Sequence, residues 1–364
     1  MKTQISLVLL GLGLVYGSAY AGAMAEPMPV SNDINVTAPD QNGMWSFGGT
    51  VVLMQPIGGG FNYANSLGSV TADGNTTGNI DRNAVGQTYN WWFGADISYA
   101  FPGNGRDVML AYEGMHSTNE NSTNGDFLTS PFLYSANTAA NNGNSVFANG
   151  SYNNNGGTFT SASGKAETNY DAGDLLFGQK LDVGSRIRLH PFAGLRYAYI
   201  NHKNTGDYAG GSYTSGIVAP VTYDVTEHAK LNSTFNGIGP RFGSDAQVAL
   251  GQGFSVRGRL GLSALIGSRK TDSSFIDSYY NTTTGVLAAT DAQSANLGSQ
   301  TRVVPEIDGR LGLAYTRNFS SDMAWGIEAG WQAENYFNSN VNVSGNTTNF
   351  ALQGPYARLQ LDVS

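Results

Sequence analysis

Residues 89–101 read YNWWFGADISYAF, and every second position but one is large and apolar: Tyr89, Trp91, Phe93, Ile97, Tyr99 and Phe101. Successive side chains of a strand point to opposite faces, so this spacing predicts a strand with one greasy face and one small or polar face carrying Asp96. The same period of two recurs in ten segments. They are Trp45–Met54, Tyr89–Phe101, Asp107–Ser117, a part of Glu167–Leu181, Arg186–Asn201, a part of Leu231–Leu250, Phe254–Ile266, Val303–Phe319, Met323–Glu334 and a part of Asn349–Val363. The alternation slips near Pro355, and a bulge or an early strand end is expected there.

The connections alternate as strictly as the residues. Strands two and three are joined by Pro102–Arg106, four and five around Asp182–Ser185, six and seven by Gly251–Gly253, and eight and nine by Asn318–Asp322, all rich in turn formers. The connections 55–88, 118–166, 202–230, 269–300 and 336–348 are long and polar. Short and long in strict turn describe an up-and-down antiparallel sheet with tight turns at one end and long loops at the other. The expected fold is all-β, a transmembrane barrel of about 10 strands (10–12) with short periplasmic turns and long extracellular loops.

Alternation alone does not say which face is inside. The polar face carries Asp96, Glu113, Arg188, Arg196, Arg241, Asp245, Arg257, Arg259, Glu306, Asp308, Arg310 and Glu328, opposite charges on neighbouring segments that a dry core penalises. The apolar face carries Trp45, Tyr89, Trp91, Tyr99, Phe101, Tyr315 and Trp325 near strand ends, as interfacial girdles do. About 13 residues at about 3.3 Å each, tilted by about 45°, span roughly 30 Å, the depth of a hydrocarbon core. The greasy face is therefore expected to meet lipid and the twelve charged positions to line the pore. Trp92 has the inward parity and is expected to narrow the lumen near the loop end. Substitution Leu262→Arg is expected to damage the barrel, and Arg259→Leu to leave it folded with altered ion selectivity.

Composition agrees with this picture. Charged residues are 13% of the chain, glycines number 48, and there are 19 Tyr, 17 Phe and 5 Trp. Low charge disfavours a soluble exterior, and the aromatics favour strand. A net charge of −8 makes a nucleic-acid partner a poor fit. Residues 1–21 read as a signal peptide: Lys2, an apolar run to Val15, then Ala19-Tyr20-Ala21 at the cleavage site. Residues 22–44 are expected to form an N-terminal periplasmic segment and 45–364 the barrel, integral to the outer membrane of a Gram-negative cell. The expected partners are outer-membrane lipid and lipopolysaccharide.

Several blocks resemble the Legionella-type major outer membrane protein family: YDAGDLLFGQKLDVG (170–184), IRLHPFAGLRYAYI (187–200), the run from Phe235 to Lys270, RVVPEIDGRLGLAYT (302–316), AGWQAENYFN (329–338) and LMQP (53–56). The resemblance implies an abundant cell-surface β-barrel porin, often oligomeric. Members usually carry cysteines that cross-link subunits. This chain has none, which excludes disulfide-linked oligomers and leaves non-covalent homo-oligomers open.

Catalytic chemistry finds little footing. His228 with Asp224 and Glu227, or His202 with Asp207, would be needed on one rim for a protease, and His190 has the parity of Arg188, inward, where a barrel phospholipase needs it outward. Asp272–Asp277 has an acid at each end, but its spacing matches no calcium cage. GIGPRFG and PIGGGF do not lie between a strand and a helix, as a phosphate loop requires. We expect no enzyme, no cofactor and no metal. Two readings of the lumen stay open: a narrow charged pore for passive diffusion of ions and small hydrophilic solutes, or a side-chain-filled barrel serving as a surface adhesin or structural protein that contacts host through its loops. Loop 118–166 is read as a pore lid, a contact surface, or simply a solvated loop.

Overall fold

In the computed structural model, residues 34–36, 43–57, 61–70, 76–86, 88–132, 159–215, 220–343 and 345–364 are described. The expected signal peptide 1–21, most of the expected N-terminal segment 22–44 and the middle of 118–166 lie outside them. The described residues form fourteen strands and no helix: β1 Ile34–Val36, β2 Met44–Ile57, β3 Phe61–Val70, β4 Thr76–Val85, β5 Asn90–Ala100, β6 Arg106–Thr129, β7 Phe159–Gln179, β8 Leu181–Val183, β9 Ile187–Ser215, β10 Val221–Gly251, β11 Phe254–Asn281, β12 Leu287–Asn318, β13 Met323–Val341 and β14 Thr347–Val363.

Ten of these close into an antiparallel ring in the order β2-β5-β6-β7-β9-β10-β11-β12-β13-β14, with β14 pairing back onto β2. Closure gives every ladder a partner on both sides, which lipid demands of a spanning sheet. Outside the ring, β3 and β4 form a hairpin that meets β6 through Asn65↔Thr129 and Ser66↔Leu128, and β8 bridges β1 to β9 at the short-turn end. The short turns fall where they are expected. Gly103 and Gly105 take φ of +74° and +61° in the first, a region that costs glycine little.

The faces follow parity throughout. On β5, Trp91 and Phe93 are 61% and 59% exposed on the outside, while Trp92 between them is 2% exposed and points inward. On β11, Leu260, Leu262 and Ile266 face out, and Ser263 and Leu265 face in.

Three expectations need correction. Segments 202–230 and 269–300 are mostly strand, not loop: β9 and β10 stay paired to Val221↔Ser215, and β11 and β12 to Tyr280↔Leu287. Their apolar alternation fades because they stand beyond the lipid, while the ladder continues. Connection 55–88 contains the β3–β4 hairpin. No bulge occurs at Pro355, where Gln332↔Gly354, Trp331↔Pro355 and Gly330↔Tyr356 are consecutive pairs. The apparent slip has another cause. Phe350, Leu352 and Tyr356 are buried and share the inward parity of Arg358, so the lumen face turns apolar along β14 while the register holds.

Candidate functional site

The lumen is built in layers, set by where each strand places its inward residues. At the short-turn half, Arg358 donates to Asp96 (Nη2–Oδ2 2.8 Å), Arg259 grips Asp245 through Nε and Nη2 at 2.5 and 2.9 Å, and His190 lies between Asp245 (3.1 Å) and Asp107 (3.0 Å). The Arg259 guanidinium also lies over the Phe192 ring, 5.4 Å from its centroid. Arg257 reaches Glu328 at 3.5 Å, Gln360 at 3.2 Å and Thr316 at 3.1 Å, and Tyr356 donates to Glu328. Arg310 stands opposite Arg259 on the neighbouring strand and has no ion-pair partner among the described residues.

Glycines at inward positions make room for these side chains. A Cβ on Gly48 would lie 2.5 Å from Asp96 Oδ1 and would overlap Arg358, and one on Gly261 would lie 2.8 Å from an Arg241 nitrogen. Part of the chain's glycine content is thus the counterpart of its long inward arginines.

Above this, mid-lumen, two arginines fan across the barrel. Arg241 meets Asp308 at 2.7 Å, Glu306 at 3.0 Å and Asp174 at 3.4 Å. Arg196, 1% exposed, pairs with Glu113, donates to the Tyr170 hydroxyl at 2.9 Å, and reaches Glu306 and Glu334 at 3.5 Å each. Five carboxylates therefore surround two guanidiniums. Separating such charges from their partners inside a low-dielectric barrel is costly, so the contacts reinforce each other.

The next layer is apolar. Val52, Met54, Trp92, Met115, Tyr170, Ile200, Phe235, Leu265, Val304, Tyr336, Phe350, Leu352 and Tyr356 all project inward from ring strands and pack together. The Tyr170 and Tyr336 hydroxyls meet at 2.8 Å, and Trp92 and Phe350 flank Tyr170.

Higher still, between this layer and the mouth, lies a cavity of about 540 Å³ whose lining includes Asn62, Asn65, Asn119, Asn204, Asn349 and Arg82. The mouth is capped by a second apolar cluster in which Phe61 and Tyr63 of β3 pack on Leu128, Phe132, Phe159, Tyr208 and Phe275.

Of the twelve sequence-derived lumen positions, Asp96, Glu113, Arg196, Arg241, Asp245, Arg257, Arg259, Glu306, Asp308, Arg310 and Glu328 take these inward places. Arg188 stands apart at the short-turn rim, half-exposed and paired with Asp182 at 3.0 Å. Sequence reasoning missed Asp107, Asp174, Glu334 and Arg358, although each has the same inward parity on its strand. It also missed the tyrosines, because Tyr170 and Tyr336 were not read as lumen residues.

The candidate rim sites come apart. Glu227 faces in and His228 faces out, so His228 pairs with Asp207 at 2.6 Å, while His202 meets Thr168 at 2.9 Å. Asp272 is exposed on β11 and Asp277 fully buried on its other face, so the two share no cation. No group of three metal-ligating side chains occurs among the described residues.

The profile of the Legionella pneumophila major outer membrane protein precursor family matches residues 37–363. The chain belongs to that family. As a member of the major outer membrane protein family with a closed β-barrel, it is integral to the outer membrane. None of the curated proteins compared with it matches. Among solved structures, it is similar to a major outer membrane protein from Thermus thermophilus at 13% identity, covering 75% of this chain and 98% of that one with a TM-score of 0.28. It is also similar to the outer membrane protease OmpT from Escherichia coli (12% identity, 90% and 98% covered, TM-score 0.30) and the Pseudomonas putida toluene transporter TodX (8% identity, 89% and 90% covered, TM-score 0.28). At those TM-scores the likenesses carry no functional argument for this family member.

Proposed function

We propose that the chain is a low-conductance porin, shut in the conformation described, that passes ions and small hydrophilic solutes entering at its long-loop end. The observation that carries this reading is the build of the closure. Among the described residues, everything that blocks the lumen at membrane level is a side chain of a ring strand, with no chain segment threaded through it. Opening then needs side-chain rearrangement of the ionic and apolar layers at membrane level, and withdrawal of Phe61 and Tyr63 of β3 from the mouth. The charged layers add support. A permanent filler is at least as stable when apolar, whereas buried charges of both signs are a burden that conduction explains.

A second reading is favoured by the contacts themselves. If Arg196 and the Tyr170–Tyr336 bond hold permanently, the barrel is filled and works only through its surface, as an adhesin or structural protein. Planar-bilayer recording of the refolded, heat-modifiable protein separates the two. Stepwise openings whose reversal potential moves in a salt gradient support the porin. A folded sample that never conducts leaves the surface barrel. No catalytic role is assigned in either case, since His228 meets a single carboxylate on an exposed outer face.

A further inference from the structure

The chain has six lysines, one of them in the expected signal peptide, and four of the remaining five are Lys165, Lys203, Lys230 and Lys270. They lie on β7, β9, β10 and β11, consecutive in the ring. Each has the parity of the lipid-facing residues of its own strand: Lys165 that of Phe177, Lys203 that of Tyr197, Lys230 that of Ile238, and Lys270 that of Ile266. All four therefore point away from the barrel axis, above the apolar band.

Their heights cluster. Lys270 stands four residues beyond Ile266, and Lys203 four beyond Tyr199. Four residues at about 3.3 Å, tilted by about 45°, are roughly 9 Å, which reaches the polar headgroup region. Lys165 and Lys230 both pair with Thr205, two positions past Lys203, so they stand roughly 5 Å higher. Arg302 on β12, opposite Gly267, has the inward parity of Val304 and Glu306 and is not part of this face. The other five ring strands, β13, β14, β2, β5 and β6, carry no lysine or arginine on their long-loop portions among the described residues. Basic charge at this level is thus confined to one half of the circumference.

Local contacts prepare the patch. Glu167 lies between Lys165 (3.0 Å) and Lys203 (2.7 Å) and holds both ammonium groups in place. Lys230 and Lys270 have no carboxylate within ion-pair distance among the described residues, which leaves them to an outside anion. Asp272, Asp207 and Glu120 share the outer face; Asp207 is occupied by His228, and Glu120 reaches Lys165 at 3.5 Å.

We propose that this face of β7, β9, β10 and β11 binds the phosphate groups of the outer-leaflet glycolipid, seating one side of the barrel against phosphorylated lipid. Clustered lysines just above a lipid boundary attract anionic headgroups. The height, the outward direction and the one-sidedness fit a membrane-borne phosphate better than a soluble anion.

The test compares the native chain with a Lys165→Gln, Lys203→Gln, Lys230→Gln, Lys270→Gln variant, both refolded and checked for heat-modifiability. Each is reconstituted with bisphosphorylated lipid A or with its dephosphorylated form, and retained lipid is counted by native mass spectrometry. We expect the native barrel to retain bisphosphorylated lipid A at least tenfold better than the dephosphorylated form, and the variant to lose that preference. Millimolar inorganic phosphate should not displace the lipid. Equal retention by native and variant barrels overturns the proposal, as does displacement by inorganic phosphate. So does a native barrel that buries these lysines in a dimer and retains no lipid. Should the variant misfold, Lys230→Gln, Lys270→Gln alone, which leaves the Glu167 pairs intact, must halve retention or better.

Discussion

The hydroxyls of Tyr170 and Tyr336 meet at 2.8 Å although their strands, β7 and β13, stand five places apart in a ring of ten. The bond therefore crosses the full width of the lumen. Tyr170 also donates to Glu113 at 2.8 Å and Arg196 reaches it at 2.9 Å, so it ties the apolar layer to the ionic one.

Removing this crossing should loosen the gate. Tyr336→Ala, on the porin reading, is expected to raise the open probability several-fold in single-channel records, while Tyr336→Phe, which keeps the ring, changes it less. Identical records for native and Tyr336→Ala channels would argue that the barrier lies elsewhere.

Arg196 is the hub of the ionic layer, and its loss leaves buried Glu334 and half-buried Glu113 without their cation and Glu306 with Arg241 alone. Arg196→Met should destabilise the barrel by about 3–5 kcal/mol, seen as a shifted urea midpoint in lipid. A shift below about 1 kcal/mol would mean that water already reaches this layer.

The two faces should respond differently to charge. Leu262→Arg places a cation on the lipid face near mid-membrane, half-exposed outward, and should cost about 2–4 kcal/mol. Arg259→Leu looked harmless from sequence, but Arg259 holds Asp245 by two hydrogen bonds. It should now cost about 1.5–3 kcal/mol while still folding. Comparable refolding yields with a larger loss for Arg259→Leu would mean that the faces have been assigned the wrong way round.

Acidity should tighten the long-loop end. Glu227, Asp277 and Asp291 are paired across β10, β11 and β12, all facing in and buried beyond the lipid. Burial pushes Glu227 up to about 7 against a smaller opposing contribution from Ser130, and burial with the two neighbouring carboxylates pushes Asp277 up to about 8. Burial also raises Asp291. A carboxyl raised above its unfolded value of about 4 favours the folded state when protonated, so stability is greatest below about pH 4 and falls as pH rises toward 8. Hydrogen exchange in 221–235 and 267–281, corrected for its intrinsic pH dependence, should be faster at pH 8.5 than at pH 5. Asp277→Asn should flatten that difference, and a native protein with no difference would show the carboxyls to be solvated.

Much of this was legible in the chain itself. The ten ring strands, the short turns and the inward parity of Asp96, Arg196 or Glu306 follow from alternation, which is a local property. Where reading failed, the cause was also local. Beyond the lipid the apolar face disappears, so the upper halves of β10 and β12 read as loops. On β14 the inward apolar residues Phe350, Leu352 and Tyr356 imitated a slip of phase.

By itself, then, the sequence determined which side chains face lipid and which face the axis, because period two is enforced by the backbone of each strand. It did not determine what those inward side chains meet. Tyr170 and Tyr336 are separated by 166 positions, and Arg358 and Asp96 by 262. Only ring closure sets such residues opposite one another at a given height, and that closure is what fills the lumen, stacks its ionic and apolar layers, and gathers four lysines onto one side of the barrel.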